Sequence, residues 1–237
     1  ISRRNDTKFN MFKFFNNQKK KSLDSFTLHY QFQANELNKL CKKFGCDKGS
    51  FEGYKKFFSW KPHSYTDFYY FLFSNQRFQI KKVFELGIGT NKVFNDELKR
   101  KSLPGASLRV WKNFFSKAKI FGADIDPNTL FEEDRIKTFK VDQFDSKSIK
   151  EMWKKVKIRD FDLIIDDGCH QFDGTINFFL NSINFLGSNG FYIIEDIFYK
   201  DKERFIKFFE KKKFNYFFVE LSSRAHLKDN NLLVIKK

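Results

Sequence analysis

Cysteine, proline and methionine are scarce in this 237-residue chain, at 3, 3 and 2 residues, and histidine occurs only 4 times. Three cysteines cannot build the disulfide framework of a small secreted domain. Cys41, Cys46 and Cys169 also lack the spacing of a zinc site and read as buried or inert thiols. No apolar run approaches the roughly 20 residues that span a bilayer, and no basic head with an apolar block marks a secretory leader. The expectation is a cytoplasmic chain of a reducing compartment, with no membrane partner. Acid is in deficit as well, since 29 Asp and Glu face 45 Lys and Arg, for a formal net charge of +16.

What is abundant is phenylalanine, with 35 residues in a composition that is 41% apolar. That excludes a wholly disordered chain. A soft prior of roughly 150 residues per domain allows one large domain, or one with appendages. A basic excess gathered into a stripe would point to nucleic acid or an anionic membrane. Here Phe, Lys, Asn and Ile are all frequent, and all four have A/T-rich codons. The favoured reading is therefore coding bias, with nucleic acid not expected as a partner.

Residues 1–25 read as a basic, Asn-rich arm without periodicity. The first residue is Ile, which reads as a processed or incomplete end, with Met11 as a candidate initiator. Residues 26–79 read as a helical preface. Its first helix runs over 26–44 and stops at Gly45; its second is the aromatic-rich SYTDFYYFLFSNQRF, capped by Ser64 and available as an interface for a homo-oligomer. From residue 80 to 237, short apolar runs (VFELG, KIFGADI, IKTFKVD, FDLIIDD, GFYIIED, FNYFFVEL, NLLVIKK) alternate with amphipathic stretches near 106–116, 146–156, 172–187 and 200–213. That alternation predicts an α/β fold with a doubly wound, mostly parallel sheet. The last two runs are joined without a helix, which predicts an antiparallel ending.

In such a sheet a ligand lies beyond the carboxyl ends of the strands. The first run ends Glu85-Leu86-Gly87-Ile88-Gly89, where two glycines let backbone approach a ligand closely. Lys92 stands where a dinucleotide fingerprint requires its third glycine, which argues against NAD. The second run ends in Asp124, suited to accept both hydroxyls of a ribose, and the third in Asp142-Gln143, placed to reach an adenine amino group. With these residues the chain resembles the class I S-adenosylmethionine-dependent methyltransferases, whose first strand ends in E-x-G-x-G. The resemblance implies a Rossmann-like, seven-stranded sheet with an antiparallel last strand. It also implies that Gly87 and Gly89 approach the methionine part, Asp124 the ribose and Asp142 the adenine. Glu85 is expected in the cofactor region, organising the loop.

The next two strands end Asp166-Asp167-Gly168-Cys169-His170 and Glu195-Asp196. Neighbouring parallel strands lie about 4.8 Å apart, so these carboxylates should converge. Converging carboxylates stay ionised only with compensation, and an all-oxygen donor set favours Mg²⁺ over zinc. An ion on Asp167, Glu195 and Asp196 would acidify a substrate hydroxyl, and His170, with an ordinary pKa near 6.5, suits the general base. Alternation along the strand turns Asp166 away from this group. Together with D-K-G, H-x-Y-T-D-F-Y and G-A-S-L-R-x-W upstream, the set is similar to the metal-dependent sugar O-methyltransferases of macrolide pathways. That resemblance spans about residues 40–237 and implies Mg²⁺ on Asp167, Glu195 and Asp196, with His170 as base. It departs at Cys169, where Ser is usual. The acceptor it implies is a sugar-containing small molecule.

His63 and Tyr65 are expected to close over cofactor or substrate, with a core role equally open for Tyr65. Arg109 is expected to steady a loop, Trp111 to enter the core, and Asp47 and Lys48 to form a local ion pair. Arg224 and His226 are weak candidates for substrate contact. Two other readings stay open: a metal-independent methyltransferase on RNA or protein, and a degenerate, non-enzymatic module that binds nucleic acid.

Overall fold

Amphipathic spacing and buried apolar runs account directly for the elements of the computed structural model, which describes residues 25–28 (backbone only), 35–89, 103–221 and 228–236. The strands are β1 (Ser25–Leu28), β2 (Lys82–Leu86), β3 (Lys119–Asp124), β4 (Glu132–Glu133), β5 (Ile136–Lys140), β6 (Phe161–Asp166), β7 (Leu186–Ile194), β8 (Asn215–Leu221) and β9 (Asn231–Lys236). Six α-helices are described: α1 (Glu36–Phe44), α2 (Tyr65–Phe73), α3 (Ala106–Phe114), α4 (Ser146–Val156), α5 (Phe172–Ser182) and α6 (Lys202–Lys212). In α4 the buried Ile149, Met152, Trp153 and Val156 recur at helical spacing. Asp145 caps its start by accepting from Lys147 N, and Lys157 ends it in a left-handed conformation.

The described strands form one nine-stranded sheet in the order β1-β8-β9-β7-β6-β2-β3-β5-β4. The strands from β7 to β5 are parallel, and β9 is antiparallel to both β7 and β8. The chain runs outward from β2 through β3 to β5, then returns to β6 on the other side of β2. The switch point therefore falls between β2 and β6. Alternate side chains serve opposite faces. Val83, Ile120, Leu163 and Ile193 pack with residues of α1, α2 and α3, whereas Phe84, Phe121, Ile164 and Tyr192 pack with α4, α5 and α6. Phenylalanine fills the second face: Trp153 stacks on Phe185 at 4.3 Å, and Phe179 meets Phe209 and Phe214 edge-on at 5.0 Å.

The expected doubly wound sheet is present, with two edge strands beyond the seven foreseen. One of them, β1, corrects the long helix expected over 26–44. Residues Ser25–Leu28 pair parallel with β8, and the helix is confined to Glu36–Phe44. The aromatic second helix is no free interface either. Tyr65, Phe68, Tyr69, Leu72 and Phe73 of α2 are buried in the sheet's core, and Phe71 alone among its large side chains is half exposed. Ser64 holds the N-cap position, but its hydroxyl accepts from Asn230 Nδ2 and makes no cap bond. Residues 1–24 of the basic arm, with Met11, and Lys92, Arg224 and His226 lie outside the described residues. Among the described residues no helix is long and apolar enough to cross a membrane.

Candidate active site

Register brings the functional segments together. Asp166 at the end of β6 stands beside Leu86 of β2 on one side and Ile194 of β7 on the other. The next residues extend the ladders: Asp167 N donates to the Leu86 carbonyl at 2.9 Å, and Glu195 N to the Asp166 carbonyl at 3.0 Å. Gly87, at φ +82, has the Asp167 carbonyl 1.9 Å from where a Cβ would lie. Its missing side chain thus admits the neighbouring strand end, a use distinct from the ligand approach foreseen. Gly89 shares the left-handed conformation, and both glycines line a cavity of about 550 Å³ at the switch point. That volume falls in the range of small-molecule sites, about 300–1,000 Å³.

On the β6–β7 side the cavity wall is ionic. Lys48 Nζ, buried in the loop after α1, contacts carboxylate oxygens of Asp167 and Glu195 and lies 3.1 Å from Glu85 Oε1. His170 Nε2 sits 3.1 Å from Asp167 Oδ1 and 3.2 Å from Asp196 Oδ2. The other Asp196 oxygen, Oδ1, meets the Tyr65 hydroxyl and lies 3.2 Å from His63 Nε2. Tyr69 donates to Glu195 Oε1 at 2.6 Å. His63 stacks flat on Tyr65, ring centres 4.6 Å apart. His170 and Asp196 both have left-handed backbones, at φ 53 and 54, and for a non-glycine residue that costs roughly 1–2 kcal/mol.

These contacts set the charges. Burial alone would raise Asp167, but the Lys48 ammonium and the His170 bond hold its carboxyl well below the usual range. Burial also opposes charge on His170, yet the Asp167 bond and the Asp196 and Asp167 carboxylates push it up to about 10. His63 behaves alike: burial is outweighed by Asp229 and Asp196, and it rises to about 9. Burial pushes Glu195 up to about 8 against the pull of Lys48. The Tyr65 and Tyr69 hydroxyls are raised by burial and by the facing carboxylates, so they stay protonated donors.

The β2–β3–β5 side is built of short loops. Asp124 Oδ2 accepts from Ile88 N and Oδ1 from Asp126 N, each at 3.0 Å, so the carboxylate closes two loops while lining the cavity. Its remaining lone pairs suit a vicinal diol. Asp142 also lines the cavity and accepts from Phe144 N. Gln143 lines the cavity too, and its side-chain amide donates to Asp166 and accepts from Cys169 N, bracing the D-D-G turn. Glu85 is fully buried on Trp111 Nε1 and Lys48 and is not part of the cavity wall, so it organises the loop from beneath.

All three foreseen metal ligands line the cavity: Asp167 and Asp196 share His170, while the Glu195 oxygens face Lys48, which also reaches Asp167, and Tyr69. Among the described residues, Asp167, His170 and Asp196 form a group whose ligand atoms lie within 4.8 Å of one another. The carboxylates offer oxygen ligands that fit a hard divalent ion such as Mg²⁺, with solvent completing its shell, and His170 stands beside them. Asp166 points away as expected, onto Gln143, where burial lifts its carboxyl to about 7. Lys48 does not pair with Asp47, which accepts from Trp60 Nε1 at 2.7 Å. Arg109 steadies a loop through Glu133 and the Pro104 carbonyl. The central place of Lys48 and the part of Tyr69 were missed. Tyr69 was recoverable, since Tyr65 and Tyr69 stand at i and i+4, on one helix face.

The sheet order, the antiparallel β9 and the cavity at the switch point are those of the class I methyltransferase fold. The same fold is seen in the MycE methyltransferase of the mycinamycin biosynthetic pathway, solved in complex with Mg, SAH and mycinamycin VI, at a TM-score of 0.61 and 22% identity over 86% of this chain and 54% of that one. In sequence, the chain is 32% identical over 135 residues to mycinamicin VI 2''-O-methyltransferase of Micromonospora griseorubida, covering 57% of this chain and 32% of that protein. It is 33% identical over 135 residues to demethylmacrocin O-methyltransferase of Streptomyces fradiae, covering 57% and 32%. An 8-demethyl-8-alpha-L-rhamnosyl tetracenomycin-C 2'-O-methyltransferase of Streptomyces olivaceus is 30% identical over 138 residues, covering 58% and 34%. The chain thus resembles sugar O-methyltransferases, and its matches span about a third of the length of these curated relatives. No family model matches it.

Proposed function

We propose that this protein is an S-adenosylmethionine-dependent O-methyltransferase that works with a divalent cation such as Mg²⁺ and acts on a hydroxyl of a sugar or glycosylated small molecule. The observation that carries this reading is the convergence of Asp167, His170 and Asp196 on a cavity that also contains Gly87, Gly89 and Asp124. In it the Gly87–Gly89 turn holds the methionine part, Asp124 the ribose and Asp142 the adenine edge. Asp167, Glu195 and Asp196 hold the ion. S-adenosylmethionine supplies an electrophilic methyl group, and a divalent ion supplies the positive charge that acidifies a hydroxyl.

The chain's own residues manage position and proton. With both carboxylates free to hold it, the His170 proton stays on. Neutralising Asp167 and Asp196 returns the imidazole toward its ordinary pKa, near 6.5, and makes Nε2 a proton acceptor at the cavity wall. Tyr65 fixes Asp196, and Tyr69 fixes Glu195, so the acidic wall keeps its shape as charge moves. The reading is tested by calorimetry with S-adenosylhomocysteine and by methyl transfer to glycosylated acceptors with and without EDTA. Binding, and transfer lost on chelation and in His170→Ala, are expected. Absence of binding, or transfer indifferent to both changes, overturns it.

A further inference from the structure

The two sides of the cavity meet at one buried amide. Gln143, 6% exposed, stands in the loop after β5 and reaches across to the turn that follows β6. Its Nε2 donates to both oxygens of Asp166, at 2.9 and 3.1 Å, and its Oε1 accepts from Cys169 N at 2.8 Å. None of these bonds uses an atom of Asp167, Glu195 or Asp196. Gly168 lies against the same amide, since a Cβ there would come 2.2 Å from Gln143 Oε1. The loop is also fastened to α5, the helix that begins just after His170. Asn177 donates from Nδ2 to the Gln143 carbonyl at 2.9 Å and accepts from Ser146 Oγ at 2.6 Å. A Cβ on Gly174 would meet Cys169 Sγ at 2.6 Å and Phe144 at 3.0 Å, so the first turn of α5 receives a residue from each segment.

Resting on the methyltransferase reading above, we propose that Gln143 is a positioning residue that couples the cofactor pocket to the base: an occupant of the Asp124–Asp142 side steadies the β5 loop, and the Gln143 amide passes that order to the turn carrying His170. Three features support this. Gln143 directly follows Asp142, and both line the cavity. His170 has a left-handed backbone, at φ 53, and a non-glycine residue keeps that conformation only where its surroundings fix it; the bonds from Gln143 and Asp166 do so from behind the turn. The polarity of the link also suits an amide, because both Asp166 oxygens accept while Cys169 N donates, so the bridging group must donate at one end and accept at the other. Coupling of this kind is reciprocal: a fixed turn favours the cofactor as the cofactor favours the turn.

The test is hydrogen exchange of the full chain, read by mass spectrometry with and without S-adenosylhomocysteine, with calorimetry for its affinity. It compares the unaltered protein with Gln143→Met and Gln143→Glu, which keep the side chain's length. Met can make neither bond, and a Glu carboxylate cannot donate to Asp166. In the unaltered protein, S-adenosylhomocysteine is expected to slow exchange about tenfold both at residues 143–146 and at 168–174. At saturation in the variants, the slowing is expected to persist at 143–146 and to be lost at 168–174, with affinity weakened by about three- to tenfold. A role in filling space alone would leave both variants like the unaltered protein, and that result overturns the coupling. So does a turn that ignores S-adenosylhomocysteine in the unaltered protein, which decides the matter even if Gln143→Met does not fold. In either case the methyltransferase reading stands so long as S-adenosylhomocysteine binds; if the unaltered protein does not bind it, both fall.

Discussion

The two sides of the cavity solve different problems with the same acidic residue types. At the ends of β3 and β5, Asp124 and Asp142 accept from backbone amides: each takes one two residues further on, and Asp124 also takes Ile88 N from the loop after β2. At the ends of β6 and β7, Asp167, Glu195 and Asp196 have side-chain partners from distant segments: Lys48, His63, Tyr65, Tyr69 and, nearer, His170. The first side is a scaffold with lone pairs to spare for a ligand. The second is a closed charge network, held in place by helix α2 and the loop after α1. The difference teaches that a carboxylate at a strand end is informative about chemistry when charged and hydroxyl side chains compensate it, and about loop closure when backbone amides do.

That contrast is open to attack, the largest expected effect first. On the ionic side, His170→Ala should lower kcat by about 10²–10⁴ while leaving S-adenosylhomocysteine affinity within a few fold, as loss of a general base does; equal losses in both would mean that the two sides are not separable. At their junction, Gly87→Ala should destabilise the fold by about 3 kcal/mol or more in urea unfolding, because its Cβ would meet the Asp167 carbonyl. Beneath the ionic side, Trp111→Phe removes the indole donor to Glu85 and should cost about 1–3 kcal/mol, the penalty of an undersatisfied buried carboxylate. On the scaffold side, Asp124→Ala should weaken S-adenosylhomocysteine binding by about tenfold, equivalent to about 1.4 kcal/mol, without changing Mn²⁺ affinity.

The smallest effect lies behind both sides, at Asp67 on α2. Burial raises its carboxyl to about 6 in the fold, so the fold favours the protonated form. The stability this supplies is complete below the unfolded value, near 3.8, and is lost as pH rises through about 6. Asp67→Asn keeps an oxygen for the Asn35 amide, and should raise the melting temperature at pH 7.5, by under about 1 kcal/mol equivalent, with no gain at pH 4.

Most of the fold was legible because it is written in local patterns. The runs FDLIID and GFYII are strands by length and apolar content, and Ile149, Met152, Trp153 and Val156 mark a helix by spacing. β1 was not read correctly, although Phe26, Leu28, Tyr30 and Phe32 alternate with a period of two in the sequence. A helical reading of the wider window absorbed that signal. β4, two residues long, carries too little pattern to be read. In the site, the convergence of Asp167 with Asp196 followed from adjacent strand ends. The turn of Glu195 toward Lys48, and of Gln143 toward Asp166, did not, because each depends on a partner brought close only by the finished topology.

The position of β9 has a consequence for how the molecule is assembled. It follows β8 in the chain yet lies inside the sheet, between β7 and β8. During synthesis, β7 and β8 are therefore available before the strand that joins them, and the edge of β7 stays unpaired until β9 inserts. An exposed, apolar edge is a template for pairing with other chains. Glu195 and Asp196 directly follow that edge, and Asn231 of β9 ties down the next turn by donating to the Ile197 carbonyl. The acidic wall is thus among the last parts of the fold to become fixed, and a chain stalled before β9 would carry every foreseen ligand without the frame that holds them in place.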